Sequence, residues 1–310
     1  MLCIYKTIDG KIQQIDNIED GCWINMVNPT ENEISTIIQK LNVDPGFLRA
    51  ALDDEETSRI EMEDNQTLII VDVPLAQQDE HAVIYGTIPL GIIITEKHLI
   101  TVCLKENSVI KEFSDGIVKS VFTNMKTRFI LQILFRVATR YLQYLKQIDR
   151  IANEVEKQLY RSMKNKELIQ LLDLQKSLVY FSTSLKANEI TMEKIFRGRI
   201  IKMYEEDQDL LEDVLIENKQ AIEMSNIYSS ILSGTMDAFA SVISNNVNIV
   251  MKFLTSITIV LSLPTMVASF YGMNVKLPLQ DSPHAFIFII ILSLIIISVV
   301  TYLLAKRKMF

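Results

Sequence analysis

Several motifs that mark common classes of protein are missing from this sequence. The three histidines, His81, His98 and His284, are far apart, and no His-Glu-x-x-His, Gly-x-Gly-x-x-Gly or Walker-type loop occurs. We therefore expect neither an enzyme nor an ATP-driven pump. No basic patch of the kind that neutralises phosphates occurs outside the flanks of the hydrophobic C-terminal region, and the formal net charge is −7. A nucleic-acid partner is not expected.

Cysteine is also scarce. Cys3, Cys22 and Cys103 are odd in number and have no Cys-x-x-Cys spacing, which favours reduced, buried thiols over a disulfide or zinc framework.

The segment Met1–Lys6 lacks a basic region followed by an apolar core, so no signal peptide is predicted. We expect the first 250 residues or so to stay in the cytosol.

Long uncharged runs occur only near the C-terminus. Residues 253–271 and 285–305 contain nineteen and twenty-one residues without a charge, and at about 1.5 Å per residue each reaches roughly 28–32 Å, enough to cross a bilayer. We predict a transmembrane hairpin over 253–310. It comprises a pore helix (253–271), a loop (272–284), an outer helix (285–305) and a basic tail (306–310).

The charges that flank these runs predict the orientation of the hairpin. Lys252 precedes the first run and Lys306-Arg307-Lys308 follows the second, whereas the loop carries Lys276 against Asp281. Because positive flanks favour the cytoplasmic side, we expect the loop outside and both termini in the cytoplasm. The expected location is the plasma (cell inner) membrane, crossed twice.

Residues 1–122 are typical of an α/β domain. Short β-rich runs occur at 22–27, 67–73 and 90–95, and a helical pattern covers 31–41, with Thr30 as its N-cap. A sheet flanked by helices is expected. An acidic patch, Asp53-Asp54-Glu55-Glu56 followed by Glu61, Glu63 and Asp64, is either a solvated surface or a cation site at a protomer boundary.

Residues 123–252 form the predicted helical stalk. Apolar residues recur at alternating steps of four and three, the pattern of long packed helices. One series is Leu134, Ala138, Tyr141, Leu145, Ile148, Ala152, Val155 and Leu159, and a second is Leu171, Leu174, Leu178, Phe181 and Leu185. Breaks are expected at 161–166 and 197–199. A third helix should begin in the acidic run 205–207 and continue into the first span, over more than sixty residues.

That third helix carries a nearly continuous polar row. Steps of three and four give Asp237, Ser241, Ser244, Asn248, Met251, Thr255, Thr258, Ser262, Thr265 and Ser269. Small hydroxyl residues also serve close packing of transmembrane helices, which is the alternative explanation. A row this long is better suited to lining a path, from Asn248 through Ser269. One helix cannot enclose a path, so the row predicts a homo-oligomer of several copies with cyclic symmetry.

The end of the first span carries a resemblance to a known family. Tyr271-Gly272-Met273-Asn274 closes the span, and Ser244 to Thr255 contains Asn248-Ile249-Val250-Met251-Lys252-Phe253-Leu254-Thr255. Together they resemble the Gly-Met-Asn motif and the Asn-x-x-Met-Lys-x-Leu-Thr entry of the CorA-type magnesium channels. The resemblance implies a funnel-shaped channel of five copies, with Gly272, Met273 and Asn274 as the selectivity motif. The alternative for the tripeptide is a Gly-Asn helix cap, and the motif can serve both purposes.

The function expected from these features is passive, potential-driven uptake of Mg²⁺, with Co²⁺ and Ni²⁺ as further candidates. Neutral hydroxyls and amides suit Mg²⁺ because they hydrogen-bond its water shell without replacing it. Mg²⁺ is then both the transported and the regulatory ion, and no catalytic cofactor is expected. The alternatives are a transporter or exporter of Zn²⁺ or another divalent cation with the same fold, and a membrane-anchored cytosolic sensor.

Gating and regulation are predicted at the cytosolic end of the polar row. Met251 and Leu254 form a hydrophobic gate or, alternatively, pack in a core. The resemblance implies that Asp237 binds regulatory Mg²⁺ between protomers; its partner carboxylate is unknown, with Asp72 and the patch 53–56 as candidates. The family also places an acidic residue soon after Gly-Met-Asn, where this chain has Val275-Lys276-Leu277-Pro278, so Asp281 is the remaining candidate in the loop.

Overall fold

The computed structural model of the chain describes residues 1–78, 83–162, 165–198, 201, 204–275, 278 and 283–307. It divides into two compact units, Met1–Gly234 and Thr235–Phe310. One helix, α6, belongs to both units. The borders expected from sequence pattern after residues 122 and 252 stay predictions.

The first unit begins with an α/β domain, followed by long helices. Its strands are β1 (Leu2–Ile8), β2 (Lys11–Ile15), β3 (Trp23–Val27), β4 (Arg59–Glu63), β5 (Gln66–Gln78), β6 (Val83–Ile94) and β7 (Leu99–Cys103). Its helices are α1 (Glu31–Leu41), α2 (Pro45–Ala50), α3 (Ser108–Ser114), α4 (Lys126–Ser162), α5 (Asn165–Gly198) and the first part of α6 (Glu205–Tyr271). Helix α7 (Ala285–Lys306) lies in the second unit.

The seven strands form one mixed sheet in the order β2-β1-β3-β7-β6-β5-β4. Only β3 and β7 pair in parallel. The three predicted strand regions are confirmed. Strands β5 and β6 are longer than the β-rich runs that predicted them, since they remain paired with each other as far as Gln78 and Val83. The β-rich pattern fades where side chains are no longer buried, which is why the sequence did not show the full length.

Helices cover both faces of the sheet, as expected. Alternate residues of the central strands, such as Ile24 and Met26, join a buried cluster with Ile34 and Ile37 of α1. On the opposite face Trp23 meets Phe129 of α4 edge-on, with ring centroids 5.2 Å apart. Because successive strand residues point to opposite faces, one short run of sequence supplies both cores.

A capping residue sets the start of α1, and a glycine in β6 allows α2 to lie close to the sheet. Thr30 caps α1 through a reciprocal capping box with Glu33, which confirms the predicted N-cap. At the end of α2 the chain approaches β6 so closely that a Cβ on Gly91 would lie 2.4 Å from the Cβ of Ala51. Glycine is therefore required at residue 91 for α2 to lie against the sheet.

The long helices confirm the two predicted apolar series. Seven of the eight residues of the first series are buried, with Ala152 half-buried, and all five of the second series are buried. Helix α4 ends at Ser162 and α5 begins at Asn165, both within the predicted break, and α6 begins at Glu205 as expected. Helix α6 then continues for 67 residues, a length of about 100 Å.

The three cysteines are free and buried, as predicted. Burial raises the pKa of the Cys103 thiol to about 12 and also raises that of Cys22. Both therefore stay protonated near neutral pH and are poor metal ligands or nucleophiles.

A side chain of α5 takes the place of a missing strand beside Asp72. The β4–β5 ladder ends where Arg59 pairs with Ile70, so the backbone of Asp72 has no neighbour on that side. The Asn188 carboxamide fills the gap: its Nδ2 donates to the Asp72 carbonyl, and its Oδ1 accepts from the Asp72 N–H, both at 2.8 Å. The same Oδ1 accepts from Ser58 Oγ at 2.8 Å. Asn188 is fully buried and thereby joins α5 to the sheet.

We expect Asn188→Ala to destabilise the first unit. The substitution leaves the buried Asp72 N–H without a partner, while the Asp72 carbonyl keeps its bond from the Tyr141 hydroxyl. A loss of about 1–3 kcal/mol is expected for the one unsatisfied donor. The measurement is thermal unfolding of the detergent-purified protein. The control is Asn153→Ala, since Asn153 also bonds a carbonyl but is exposed. Equal unfolding midpoints for the two variants would contradict this role of Asn188.

Candidate ion-conduction site

Within the part of the chain that the structure describes, two helices have the length and composition needed to cross a membrane. They are α6, through its C-terminal part, and α7. These apolar regions are almost entirely unburied within the single chain, with 6% and 0% of their most apolar windows inside it. A core helix of a soluble protein would be covered by its own chain. Lipid or further protein must cover these two helices.

The predicted path residues lie together on an exposed side of α6. Asn248, Met251, Thr255, Thr258, Ser262, Thr265 and Ser269 are all exposed in the single chain. Thr258, Ser262, Thr265 and Ser269 line one open groove of about 570 Å³, with Leu261 and Met266 at its sides. The structure therefore brings four of the predicted hydroxyls to one surface. A path along that surface would require other copies of the chain around it.

Most of these hydroxyls donate a hydrogen bond to a backbone carbonyl of the same helix. The bonds run from Thr255 to Met251 O at 2.7 Å, from Thr258 to Leu254 O at 2.8 Å, from Ser262 to Ile259 O at 2.9 Å and from Thr265 to Leu261 O at 3.0 Å. A carbonyl can only accept, so in each bond the hydroxyl is the donor. A hydroxyl has one proton and two lone pairs. The outward surface of the row therefore offers acceptors.

Pro264 lies inside α6 without ending the helix. Proline has no N–H, so the carbonyl of Val260 lacks its usual intrahelical donor. A carbonyl released at this depth adds another acceptor in the middle of the span. We treat Pro264 as a determinant of helix shape.

The helix ends where the tripeptide begins. Gly272 N–H donates to Ala268 O at 3.0 Å and to Ser269 O at 3.2 Å, and Met273 N–H donates to Phe270 O at 3.3 Å. Gly272 does not have the positive φ of the usual glycine cap. A Cβ on Gly272 would meet only Ala268 O and Ser269 O, at ordinary distances of 3.5 and 3.6 Å. Neither the backbone nor the described part of this chain requires glycine there.

Met273 and Asn274 are exposed beyond the helix end. Met273 has 53% of its surface exposed in the single chain. The neighbouring loop residues Lys276 and Asp281 lie outside the described residues, as does Lys308 of the basic tail. The role of Asp281 and the inside–outside assignment stay predictions.

The two residues of the predicted gate are also exposed. Met251 and Leu254 have 55% and 57% of their surface exposed. They are not core residues of the single chain, so the alternative of packing within one chain is not what the structure shows. The gate itself stays a prediction, because a constriction requires several copies of α6 around a common axis.

The predicted regulatory aspartate is exposed, while one candidate partner is not. Asp237 is exposed on α6, and its carbonyl accepts from Ser241 Oγ at 3.1 Å. Asp72 is partly buried beneath α5, where burial raises the pKa of its carboxyl and a hydrogen bond from Ser184 opposes the rise. In the acidic patch, Asp53 Oδ1 accepts from Glu55 N–H, and Glu56 pairs with Arg59.

No cation site is complete within the described part of one chain. Among those residues no group of three or more His, Cys, Asp or Glu side chains could hold a metal ion. A site that uses Asp237 would need ligands from another copy.

Helix α7 has no comparable row. Its serines Ser293 and Ser298 donate to the carbonyls of Ile289 and Leu294 within the same helix. The rest of the helix is almost wholly apolar, which suits a surface that faces lipid. The structure also identifies Ser256, fully buried on α6, which lies off the polar row and which the periodicity did not mark.

Comparison with known proteins places the chain in a family. The sequence model of a family described as CorA-like Mg²⁺ transporter protein matches residues 19–307. The chain belongs to this family. Its members are transport proteins, and the resemblance seen at Gly272 to Asn274 is therefore confirmed over nearly the whole chain.

Relatives of the CorA family match along almost the full length. The cobalt/magnesium transport protein CorA of Methanocaldococcus jannaschii is 28% identical, over 96% of this chain and 95% of the relative. The magnesium transport protein CorA of Campylobacter jejuni is 23% identical, over 99% of each chain. The complete structure of the CorA magnesium transporter from Methanocaldococcus jannaschii superposes with a TM-score of 0.86, at 27% identity, over 99% of this chain and 98% of that one. The expected fold, an α/β domain with a long helix and two C-terminal apolar helices, is confirmed.

Proposed function

We propose that this chain forms a homo-oligomeric channel for passive uptake of Mg²⁺, with Co²⁺ and Ni²⁺ as further candidate ions. The observation that carries the proposal is the exposed row of hydroxyls on α6, from Thr255 to Ser269, within a helix that is long and apolar enough to span a membrane. Family membership supports it, since two relatives are named for cobalt/magnesium and magnesium transport.

The row suits a hydrated cation in particular. Mg²⁺ holds its waters at about 2.0–2.1 Å and releases them reluctantly. The protons of those waters point outward and need acceptors. Four hydroxyls of α6 have already donated their protons to helix carbonyls, so the lone pairs that remain are the complement of such a water shell. An anion would need hydrogen-bond donors, and these four hydroxyls already donate their protons to helix carbonyls.

A path requires several copies of α6 around an axis. The resemblance to the CorA family implies five, arranged so that the hydroxyl rows face one another and α7 faces lipid. Closed cyclic symmetry gives each copy the same environment. With the interior of the cell negative, a divalent cation gains about 4.6 kcal/mol per 100 mV on entry, twice the value for one charge. No coupled energy source is needed for uptake.

Selection is assigned to Gly272, Met273 and Asn274 at the outer end of the path. The Asn274 amide oxygen, repeated around the axis, accepts bonds from the waters of the ion. The geometry of Gly272 supports a role outside the single chain, because a Cβ there meets no steric obstacle in its own helix. We propose that the space beside Gly272 is needed by neighbouring copies or by the hydrated ion.

We expect Gly272→Ala and Asn274→Ala to lower Mg²⁺ uptake into proteoliposomes by roughly tenfold or more, which corresponds to about 1.4 kcal/mol on the barrier. The matched control for the first is Gly234→Ala, since Gly234 also lies in α6 and has open space around it. That control should transport normally. Normal Mg²⁺ uptake by both motif variants would show that the tripeptide only ends the helix and does not select the ion.

The same vesicles distinguish the proposed ion from the alternative. Uptake is compared for Mg²⁺, Co²⁺, Ni²⁺ and Zn²⁺, with and without a proton gradient. Uptake of Mg²⁺ that follows the membrane potential alone is the expected result. Transport of Zn²⁺ that depends on the proton gradient would instead identify an exporter-like protein of the same fold.

Regulation is assigned to Asp237, with Met251 and Leu254 as the constriction. Mg²⁺ bound between Asp237 and a carboxylate of a neighbouring copy would neutralise their repulsion and hold the stalk helices together, so the path closes. When cytosolic Mg²⁺ falls, the site empties and the helices separate. Uptake then limits itself.

We expect Asp237→Lys to make the protease resistance of the stalk less dependent on Mg²⁺, because a tethered ammonium can replace the charge of the bound ion. Limited proteolysis over a range of Mg²⁺ concentrations measures this. Glu217→Lys, which makes the same charge change on α6 away from the polar row, is the control. If Mg²⁺ protects Asp237→Lys and the unmodified protein with the same concentration dependence, the assignment of Asp237 is wrong.

A further inference from the structure

A polar cleft of about 710 Å³ opens among four connections of the first unit. Its walls come from the β6–β7 turn (95–98), the end of α1 (40–42), the β4–β5 turn (64–66) and the segment before β3 (17–20). The volume is in the range of small-molecule sites. Among the described lining residues only Ile18 and Leu41 are aliphatic, and the others carry ammonium, amide, carboxylate, hydroxyl or imidazole groups. The cleft therefore suits a strongly polar ligand.

The β6–β7 turn is held in place by a lysine behind it. Lys126 Nζ donates to Thr95 O at 2.7 Å and to Glu96 O at 2.5 Å. In a trans peptide the carbonyl and the following N–H point in opposite directions, so the N–H groups of Glu96 and Lys97 point away from Lys126. Lys126 is outside the lining of the cleft, whereas all four residues of the turn belong to it. The two N–H groups therefore point to the side of the turn on which the cleft opens.

These two N–H groups have no acceptor among the described residues. Two successive N–H groups in a turn are a common backbone arrangement for binding an anion. The ammonium of Lys126 strengthens them, because a cation at the carbonyl end of a peptide polarises its N–H end. In the described part of the chain Lys126 binds the two carbonyls and no carboxylate. An anion on the other side of the turn would supply the missing negative charge.

His98 adds a side-chain donor to the same wall. The residue is only 7% exposed, its Nδ1 lies 3.5 Å from Cys22 Sγ, and its Nε2 has no hydrogen-bond partner among the described residues. Burial raises the pKa of the Cys22 thiol and lowers that of His98, so near neutral pH the thiol keeps its proton and the ring is uncharged. When the thiol donates to Nδ1, the single proton of the ring is on Nε2. The ring then offers an N–H group to the cleft that it lines.

Charged side chains of both signs complete the lining. Lys97 Nζ pairs with Asp20 Oδ2 at 2.9 Å, but the two side chains are 59% and 73% exposed. An exposed pair of this kind is weak, so the Lys97 ammonium can turn to a bound anion. Lys40 lies on the same cleft and is exposed. Asp64, also in the lining, offers acceptors for hydroxyl groups.

We propose that this cleft binds a sugar phosphate, with the phosphoryl group at the β6–β7 turn and the sugar hydroxyls at the other walls. The phosphoryl oxygens accept from the N–H groups of Glu96 and Lys97, from His98 Nε2–H and from the Lys97 ammonium. Hydroxyl groups both donate and accept, which matches the carboxylate of Asp64 and the amide of Asn65. No Phe, Tyr or Trp occurs among the described lining residues, so the cleft offers little surface for stacking a nucleotide base.

The test measures binding of ribose 5-phosphate to the detergent-purified full-length protein by isothermal titration calorimetry, at constant ionic strength and a fixed Mg²⁺ concentration. Inorganic phosphate and ribose are the matched probes, since each lacks one part of the ligand. We expect ribose 5-phosphate to bind more tightly than inorganic phosphate, and ribose to show no measurable binding. Absence of binding by ribose 5-phosphate would overturn the proposal. Equal affinity for inorganic phosphate, or tighter binding of adenosine monophosphate, would overturn the assignment of a sugar phosphate.

Two variants test the assigned contacts. Lys97→Gln removes an ammonium at the cleft, and Lys126→Gln removes the charge behind the turn while its amide can still donate to the turn carbonyls. Each is expected to weaken binding of ribose 5-phosphate by about tenfold. The control is Lys111→Gln, because Lys111 forms a similarly exposed ion pair with Glu106 at 2.9 Å, away from the cleft.

Unfolding midpoints without ligand show whether each variant is folded, and Lys97→Gln alone decides if Lys126→Gln is not. Unchanged affinity in the folded cleft variants would contradict the proposed contacts, as would an equal loss of affinity in Lys111→Gln. The binding assay involves no transport, so its outcome is independent of the proposed channel function.

Discussion

A hydroxyl group within a membrane needs a partner for its single proton, and on α6 the helix itself supplies that partner. Thr255, Thr258, Ser262 and Thr265 each donate to a carbonyl three or four residues earlier, at 2.7–3.0 Å. The bond makes a polar row tolerable inside an apolar helix. At these four residues it also leaves only lone pairs on the outside, and that surface supports the proposal of a hydrated cation as the solute.

The rest of the first unit holds the long helix that carries this row. Helices α4 and α5 pack through large apolar residues, and α5 is tied to the sheet by the Asn188 carboxamide beside Asp72. Helix α6 is joined to α5 by Asn218, which donates to Leu185 O, and by Ser225, which donates to Leu178 O. Helix α5 therefore connects the sheet to the helix that continues into the first apolar region.

Strong periodicity made much of this architecture predictable. The heptads of α4 and α5, the start of α6 at Glu205, the Thr30 cap and the two apolar runs each follow from spacing and residue type, and the structure confirms them. Features that depend on distant partners were not predictable. Nothing local to Asn188 shows that a strand ends beside Asp72, and the negative φ of Gly272 contradicts the usual expectation for a glycine at a helix end. The site residues stay predictions because their environment is made by other copies of the chain.

The measurement that tests the central claim most directly maps which side of α6 meets the permeating ion. Single cysteines replace Thr258, Ser262 and Thr265 on the row, and Ile259 and Leu263 beside it, and each protein is treated with a positively charged thiol reagent during Mg²⁺ uptake. The account predicts block at the three row positions and normal uptake at the two flanking positions. Equal block on both sets, or block confined to the flanking set, would show that the hydroxyl row does not line the path.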